Sequence, residues 1–389
     1  MPTGAKRIAG LRVAFLTHNY PRFPGDVSGA FLAILARALA ERGHEVRVIA
    51  PSDGGDVGQP TLEGIPVRRV RYAAPQRETL AYRGTMADAV HHPRGILTAL
   101  ALGRALRRAA REELSRGADL VHAHWWVPAG MAAPPEAPLV LTVHGTDAVL
   151  LARSRVVGLA AGPLFRRARV VTAVSASAAS VIARATGRAV DRVHVQPMPI
   201  DTARYERWSR GGNGLLLVAR LTQQKRVDLA LQALTLVRDP SLRLTVIGDG
   251  PERTGLEALR DRLGLTGRVR FLGTRTPAQV AEALTEADLA LFPAREEGFG
   301  LAAAEAMMAG VPVVACEDGG GVLSVVPATG AGRRASPEPG AIARAIEGLL
   351  GDSSARESAR EEGLRWRQSL SPDHVARAFE GWYRQALNA

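Results

Sequence analysis

Cysteine is almost absent from this 389-residue chain: Cys316 stands alone, so no internal disulfide can form and a cysteine-based zinc cluster is excluded. At the end of an apolar run, it reads as a small buried hydrophobe and not as a nucleophile. No apolar stretch approaches the about 18 residues that a membrane-spanning helix needs. The start, Met1 to Gly10, carries Lys6 and Arg7 but runs directly into a strand pattern without an apolar targeting core, so a cytoplasmic location is expected. Aromatic residues are scarce at 5%, with no interleaved aromatic stripe to support nucleic-acid binding. The chain also lacks a GxGxxG dinucleotide fingerprint and an Asp-x-Asp triplet for a divalent ion.

What is present fits a soluble globular protein large enough for two cores: 46% hydrophobic and 23% charged residues. The formal net charge of +12, carried mostly by arginine, suits acidic ligands, anionic lipid head groups or nucleic acid without choosing among them.

Apolar and β-branched runs alternate with helical periodicity along the chain. Strands are expected at 11–17, 45–50, 66–72, 119–123, 138–143, 169–174 and 192–196, with helices at 30–42, 96–117 and 176–186. A second series begins at 215–219 and continues at 242–248, 269–272, 288–292 and 311–315, with helices at 227–237, 339–350, 353–366 and 372–387. The pattern implies an α/β protein of two doubly wound domains facing each other across a cleft: residues 1–200 plus a crossing helix at 372–389, and residues 213–371. Pro197-Met198-Pro199-Ile200-Asp201 breaks the first series, and the low-complexity Ser209–Gly214 reads as the interdomain linker.

The chemistry concentrates between the strands at 288–292 and 311–315. Glu297 falls in a glycine-rich turn and Glu305 in an Ala/Met-rich helix, while Gly298 and Gly300 let the backbone approach a ligand at the helix start. Taken alone the two acids read equally as solvated helix-flanking residues. Their context, Glu-Gly-Phe-Gly-Leu followed by Glu-Ala and Ala-Gly-Val-Pro-Val-Val-Ala, resembles the two-glutamate motif of the retaining glycosyltransferases of family four, which use nucleotide sugars and have the two-domain fold called GT-B.

Other residues extend that resemblance over nearly the whole chain. Arg220 and Lys225, in Arg-Leu-Thr-Gln-Gln-Lys, can converge on one anion and resemble the family's arginine and lysine that hold the diphosphate; Arg226 follows where relatives usually have glycine. Gly29, preceded by Ser28 in place of a second glycine, matches the first-loop glycine that meets the donor's diphosphate. His144, before Gly145, is similar to the histidine that reaches the transferred sugar. Gly250, Gly298, Phe299, Gly300, Leu301 and Ala302 match donor-binding positions, with Glu297 assigned to sugar hydroxyls and Glu305 to a ribose. Gly319–Gly321 is similar to the family's Gly-Gly turn, although the glutamate usual after it is missing. His122, His124, Trp125 and Trp126 raise a metal site or an aromatic sugar platform; without a matching carboxylate set they read as a strand end, with no metal.

The resemblance therefore implies a retaining hexosyl-type transfer from a nucleoside-diphosphate sugar to a hydroxyl acceptor such as a glycan, glycolipid or small molecule. No cofactor or metal is expected. Arg104, Arg107, Arg108, Arg111 and Arg116 on the 96–117 helix suit either an anionic membrane surface or a solvated face paired locally by Glu112 and Glu113. The rival functions are a nucleotide-sugar epimerase or phosphorylase of the same architecture, and a non-enzymatic basic nucleic-acid binder; the nucleotide, sugar and acceptor stay open.

Overall fold

The computed structural model describes residues 10–58, 60–82 and 92–389; the expectation about a targeting segment falls on Met1–Ala9, outside the described residues. The chain divides into two compact units, Met1–Val174 with Ala178–Pro199 and Pro372–Ala389, and Ser175–Ser177 with Ile200–Ser371.

The first unit opens with β1 (Arg12–Leu16), α1 (Ala30–Glu41) and β2 (Glu45–Pro51). Leu32, Leu35 and Leu39 recur at helical spacing on α1 and are fully buried, each contributing roughly 1.5–3 kcal/mol. The helix stops where Gly43 takes a left-handed φ of 90°: Gly43 N–H reaches Ala40 O, and His44 N–H reaches Leu39 O. Then follow β3 (Thr61–Leu62), β4 (Ile65–Val70), α2 (Pro93–Ser115), β5 (Leu120–His124), β6 (Leu139–Val143), α3 (Thr146–Arg153), α4 (Arg155–Arg167), β7 (Val170–Ala173), α5 (Ala176–Thr186) and β8 (Val193–Val195). The sheet order is β3-β4-β2-β1-β5-β6-β7-β8, parallel except for the β3–β4 pair. β5, β6 and β7 are buried along their whole length, as strands covered on both faces must be.

The second unit contains β9 (Leu215–Val218), α6 (Val227–Leu236), β10 (Leu244–Ile247), α7 (Arg253–Arg262), β11 (Val269–Phe271), α8 (Pro277–Glu286), β12 (Leu289–Phe292), α9 (Leu301–Met308), β13 (Val313–Cys316), β14 (Gly332–Ala335), α10 (Pro339–Leu350) and α11 (Ala355–Ser369). Its sheet is parallel, in the order β11-β10-β9-β12-β13-β14. Each unit has its own apolar core.

The final helix, α12 (Pro372–Asn388), belongs to the first unit. Arg42 grips Glu380 with Nε at 2.6 Å and Nη2 at 2.9 Å. His44 accepts Leu11 N–H at Nδ1, so its Nε2 carries the proton donated to Glu380 at 3.0 Å.

The stretch Ser209–Gly214 is not a linker. Ser209 is buried and its hydroxyl donates to Ala287 O at 2.7 Å, while Arg210 N–H reaches Thr285 O and the N–H groups of Gly212 and Gly214 reach Asp288. Glycine is required here by close approach, since a Cβ on Gly211 would lie 2.3 Å from Asp288 Oδ1 and one on Gly214 2.6 Å from Arg243 O, and the second unit begins at Ile200, ahead of the expected 213.

Candidate active site

In a doubly wound sheet the crevice for ligands opens where consecutive strands diverge to opposite sides. In the second unit that point lies between β9 and β12, and the loops following these strands carry Lys225 and Glu297. Three loops are stitched together there. Gln224 O accepts Arg295 N–H at 3.0 Å, and its amide Nε2 donates to Arg295 O and Glu296 O, both at 3.2 Å. Glu297 N–H reaches Gly319 O at 2.8 Å, and Gly321 N–H reaches Glu297 O at 2.6 Å. The Gly319–Gly321 turn thus braces the Glu297 backbone. A Cβ on Gly321 would lie 1.9 Å from Gly298 O, so only glycine fits.

Within this frame Lys225 Nζ donates to Glu297 Oε2, the two side chains being 23% and 22% exposed. Only Lys6 and Lys225 among the 50 basic residues are lysines; the rest are arginine. Arg226 adopts φ 46°, ψ 45°, the left-handed region that glycine occupies without penalty. Its guanidinium donates to Pro293 O at 2.8 Å and to both Asp318 carboxylate oxygens at 2.8 and 2.5 Å, tying the β9 loop to the loops after β12 and β13. Arg220, also from the loop after β9, is exposed.

Gly300 caps α9 with φ 90°, and a Cβ there would press within 2.7 Å of Val322 Cγ2. Ala303 and Ala304 N–H groups both turn back to Gly300 O, so Leu301 and Ala302 hold the first-turn N–H groups at the open end of the helix. Gly250 packs on the β9 loop, with no room for a Cβ 2.3 Å from Leu221 O. The Phe299 ring is buried, edge-on to Trp366 at 5.7 Å, which leaves its backbone as the part able to meet a donor.

Glu305 lies in α9 with Tyr205 as its hydrogen-bond partner. Burial pushes its carboxyl up to about 7, against the opposing effects of the Tyr205 hydrogen bond and the Arg204 charge. Tyr205 comes from the turn Thr202–Tyr205, whose short irregular form left no periodic signal in the sequence.

In the first unit the strands diverge between β1 and β5. Gly29, φ 69°, starts α1 with a would-be Cβ 2.5 Å from Asn19 O. His144 follows β6, its ring 4.2 Å from that of Trp125 at 33° and 5.2 Å from Phe31. His144 Nε2 shares a hydrogen bond with His124 Nδ1 at 3.1 Å. Asp147, missed in the sequence, positions this turn: Oδ1 accepts the N–H of His144 (2.9 Å) and Gly145 (3.1 Å), and Oδ2 that of Trp126 (3.0 Å). Burial raises the Asp147 carboxyl to about 6 despite these bonds. Burial likewise holds His18 at about 4 and His122, His124 and His144 well below the ordinary histidine value. His18 Nδ1, Asn19 Oδ1, Tyr20 OH and His124 Nε2 are buried without a hydrogen-bond partner among the described residues.

His122 is a core residue, bonded to Tyr383 OH at 2.8 Å and Thr142 Oγ1 at 2.7 Å. No cluster of three or more His, Cys, Asp or Glu among the described residues is disposed to hold a metal. Cys316 is buried, with its thiol pushed up to about 11. The basic face of α2 is locally paired: Arg108 with Glu112, Arg111 with Glu136 and Arg116 with Glu113, while Arg107 donates to Met131 O and Ala132 O. Among the described residues no helix is long and apolar enough to cross a membrane.

Comparison with known proteins places these features in context. The chain matches the family model of glycosyl transferases group 1 over residues 204–366 and that of glycosyltransferase family 4 over residues 28–204. It is 31% identical to D-inositol 3-phosphate glycosyltransferase of Nocardia farcinica, over 88% of this chain and 80% of the relative. It is 28% identical to a glycogen synthase of Mycobacterium tuberculosis, over 93% and 91% of the two chains. Among solved structures, sucrose-phosphate synthase from Thermosynechococcus elongatus superposes with a TM-score of 0.79 at 19% identity, covering 97% of this chain and 99% of that one. Anabaena HepE in complex with UDP-glucose gives 0.72 at 21%, covering 96% and 99%.

Proposed function

The chain belongs to glycosyltransferase family 4, the group 1 glycosyl transferases of GT-B fold, and from this premise we propose that it moves a hexosyl-type sugar from a nucleoside diphosphate to a hydroxyl acceptor, with retention and without a metal. The observation that carries this reading is the Lys225–Glu297 pair at the divergence point of the second sheet. A cation for the departing phosphates and an anion for sugar hydroxyls stand side by side, next to the open first turn of α9. Relatives add support: HepE binds UDP-glucose.

In this reading Lys225 and Arg220 neutralise the diphosphate as it leaves, helped by the N–H groups of Leu301 and Ala302. Glu297 accepts hydrogen bonds from the transferred sugar, and Glu305 holds the ribose. Gly29 lets the first unit's loop approach phosphate, and His144 contacts the sugar. The acceptor oxygen bonds to the anomeric carbon on the face from which the phosphate departs, and a donor phosphate oxygen takes the acceptor proton. Incubation with UDP-, GDP- and ADP-sugars in EDTA, followed by separation of products, tests it. A glycosylated acceptor with the donor's anomeric configuration and free nucleoside diphosphate are expected. An isomerised donor would instead identify an epimerase, and duplex binding without transfer a nucleic-acid binder.

For location, we propose a cytoplasmic enzyme that touches anionic lipid through α2. Ile96, Leu97 and Leu100 are exposed at its N-terminal end, beside exposed Arg94 and Arg104. Co-sedimentation with anionic vesicles, lost in Leu97→Glu/Leu100→Glu, checks this contact.

A further inference from the structure

His144 is bonded at Nε2 to His124 Nδ1, 3.1 Å away, and one of the two rings must supply the proton. The other nitrogen of His124, Nε2, is buried in a fully enclosed ring without a hydrogen-bond partner among the described residues. If His144 were the donor, His124 would be protonated at Nε2 and would bury an unpaired N–H. Its aromatic neighbour Phe15, 4.8 Å away and edge-on, offers an N–H at most a weak contact with the ring. If His124 is the donor from Nδ1, its Nε2 is a bare acceptor, and an unsatisfied acceptor is better tolerated than an orphaned N–H. Burial holds both rings neutral, so each has one N–H to place.

We propose that His124 is a positioning residue that fixes the tautomer of His144. By donating to Nε2, it leaves His144 with its proton on Nδ1. His144 therefore meets its ligand as a hydrogen-bond donor to an oxygen, and it is not a base that removes a proton. The inference rests on the reading of His144 as a sugar-contacting residue, and it extends that reading by naming the sense of the contact: a hydroxyl oxygen of the sugar accepts from Nδ1–H. His124 acts through His144 and touches no substrate. The tilted contact of Trp125 with the His144 ring, centroids 4.2 Å apart at 33°, holds the ring plane in which that N–H points.

The full chain, with ring-15N histidine, gives a direct test by long-range 1H–15N correlation, the His144 signals being identified by their loss in His144→Gln. The expected pattern is a protonated Nδ1 and a bare Nε2 on His144; a protonated Nε2 overturns the proposal. Two variants then separate positioning from packing. His124→Asn keeps an amide N–H near the place of Nδ1–H, whereas His124→Phe fills the space without one. The Phe variant should lose the fixed Nδ1–H pattern and lower kcat/KM for transfer about tenfold, and the Asn variant should recover both. An unchanged His144 pattern in folded His124→Phe overturns the proposal. If the ring pattern is as expected but no donor is turned over by the parent chain, it is the transferase reading that fails and not the tautomer assignment.

Discussion

Lys225 and Glu297, 72 residues apart in sequence, meet as an ion pair because β9 and β12 lie side by side and turn their following loops toward one another. Both side chains remain partly exposed, so the pair contributes little to stability, about 0–1 kcal/mol. Removing one charge-assisted contact to a ligand costs more, about 1.5–3 kcal/mol. Lys225→Ala and Glu297→Gln should each reduce kcat/KM by about ten- to a hundredfold while moving the melting temperature by no more than a degree or two. Steady-state kinetics and calorimetry on the two variants and their combination measure this, and the combined loss should be less than the product of the single ones.

The clasp between Arg226 and Asp318 should act on the same loops from behind. Asp318→Asn keeps the shape but weakens a bidentate ion pair. We expect a three- to tenfold loss of donor affinity with the fold intact, read by titration calorimetry with the nucleoside diphosphate. Arg226→Gly relieves a left-handed φ that costs roughly 1–2 kcal/mol, yet it should also bind donor more weakly, because the tie to Pro293 and Asp318 goes with the side chain.

Glu305 gives a pH signature. Its folded value, about 7, stands above the ordinary 4.5, so folding favours the protonated form. The stability this supplies is complete below about pH 4.5 and is lost as pH rises through about 7. Glu305→Gln, which cannot ionise, should flatten the fall in melting temperature between pH 5 and 8. Thermal melts of the two proteins across that window, without nucleotide, decide it; parallel curves would show that Glu305 keeps an ordinary carboxyl.

Gly29→Ala should be destabilising by about 1–3 kcal/mol. The added methyl would meet Asn19 O in a left-handed backbone, so either the loop or the start of α1 must move. Urea unfolding gives the magnitude, and loss of donor binding should accompany it.

Much of the fold was legible because its signals are local. The strand at 138–143 and the helix at 176–186 are apolar in period, bounded by proline, glycine or polar residues, and both are present. β14 was missed because its sequence, Gly-Arg-Arg-Ala, has no apolar alternation; it is an edge strand held by β13, with Arg333 turned to Asp352 and Arg334 to Val326 O. The helices α3 and α4 were hidden because their period is blurred: α3 buries the acid Asp147, and α4 exposes Val156 and Leu159 and carries Pro163 inside. Lys225, Arg220, Glu297 and Glu305 were visible as motif residues. Asp147, Tyr205 and Asp318 were not, because each acts on a neighbour through a backbone or side-chain bond that has no fixed spacing in sequence.

The return of α12 to the first unit bears on how the polypeptide is made. A ribosome releases this helix after every strand of both sheets has emerged, so Tyr383 and Phe379 reach the nascent first unit only once the whole second unit has been made. Until then His122 lacks its Tyr383 bond, Arg42 and His44 lack Glu380, and an apolar face stands open to solvent. A gene fragment cut at Pro199 would reproduce that unfinished state permanently and should require chaperones or precipitate, whereas the same fragment supplied with a separate 372–389 peptide should regain solubility.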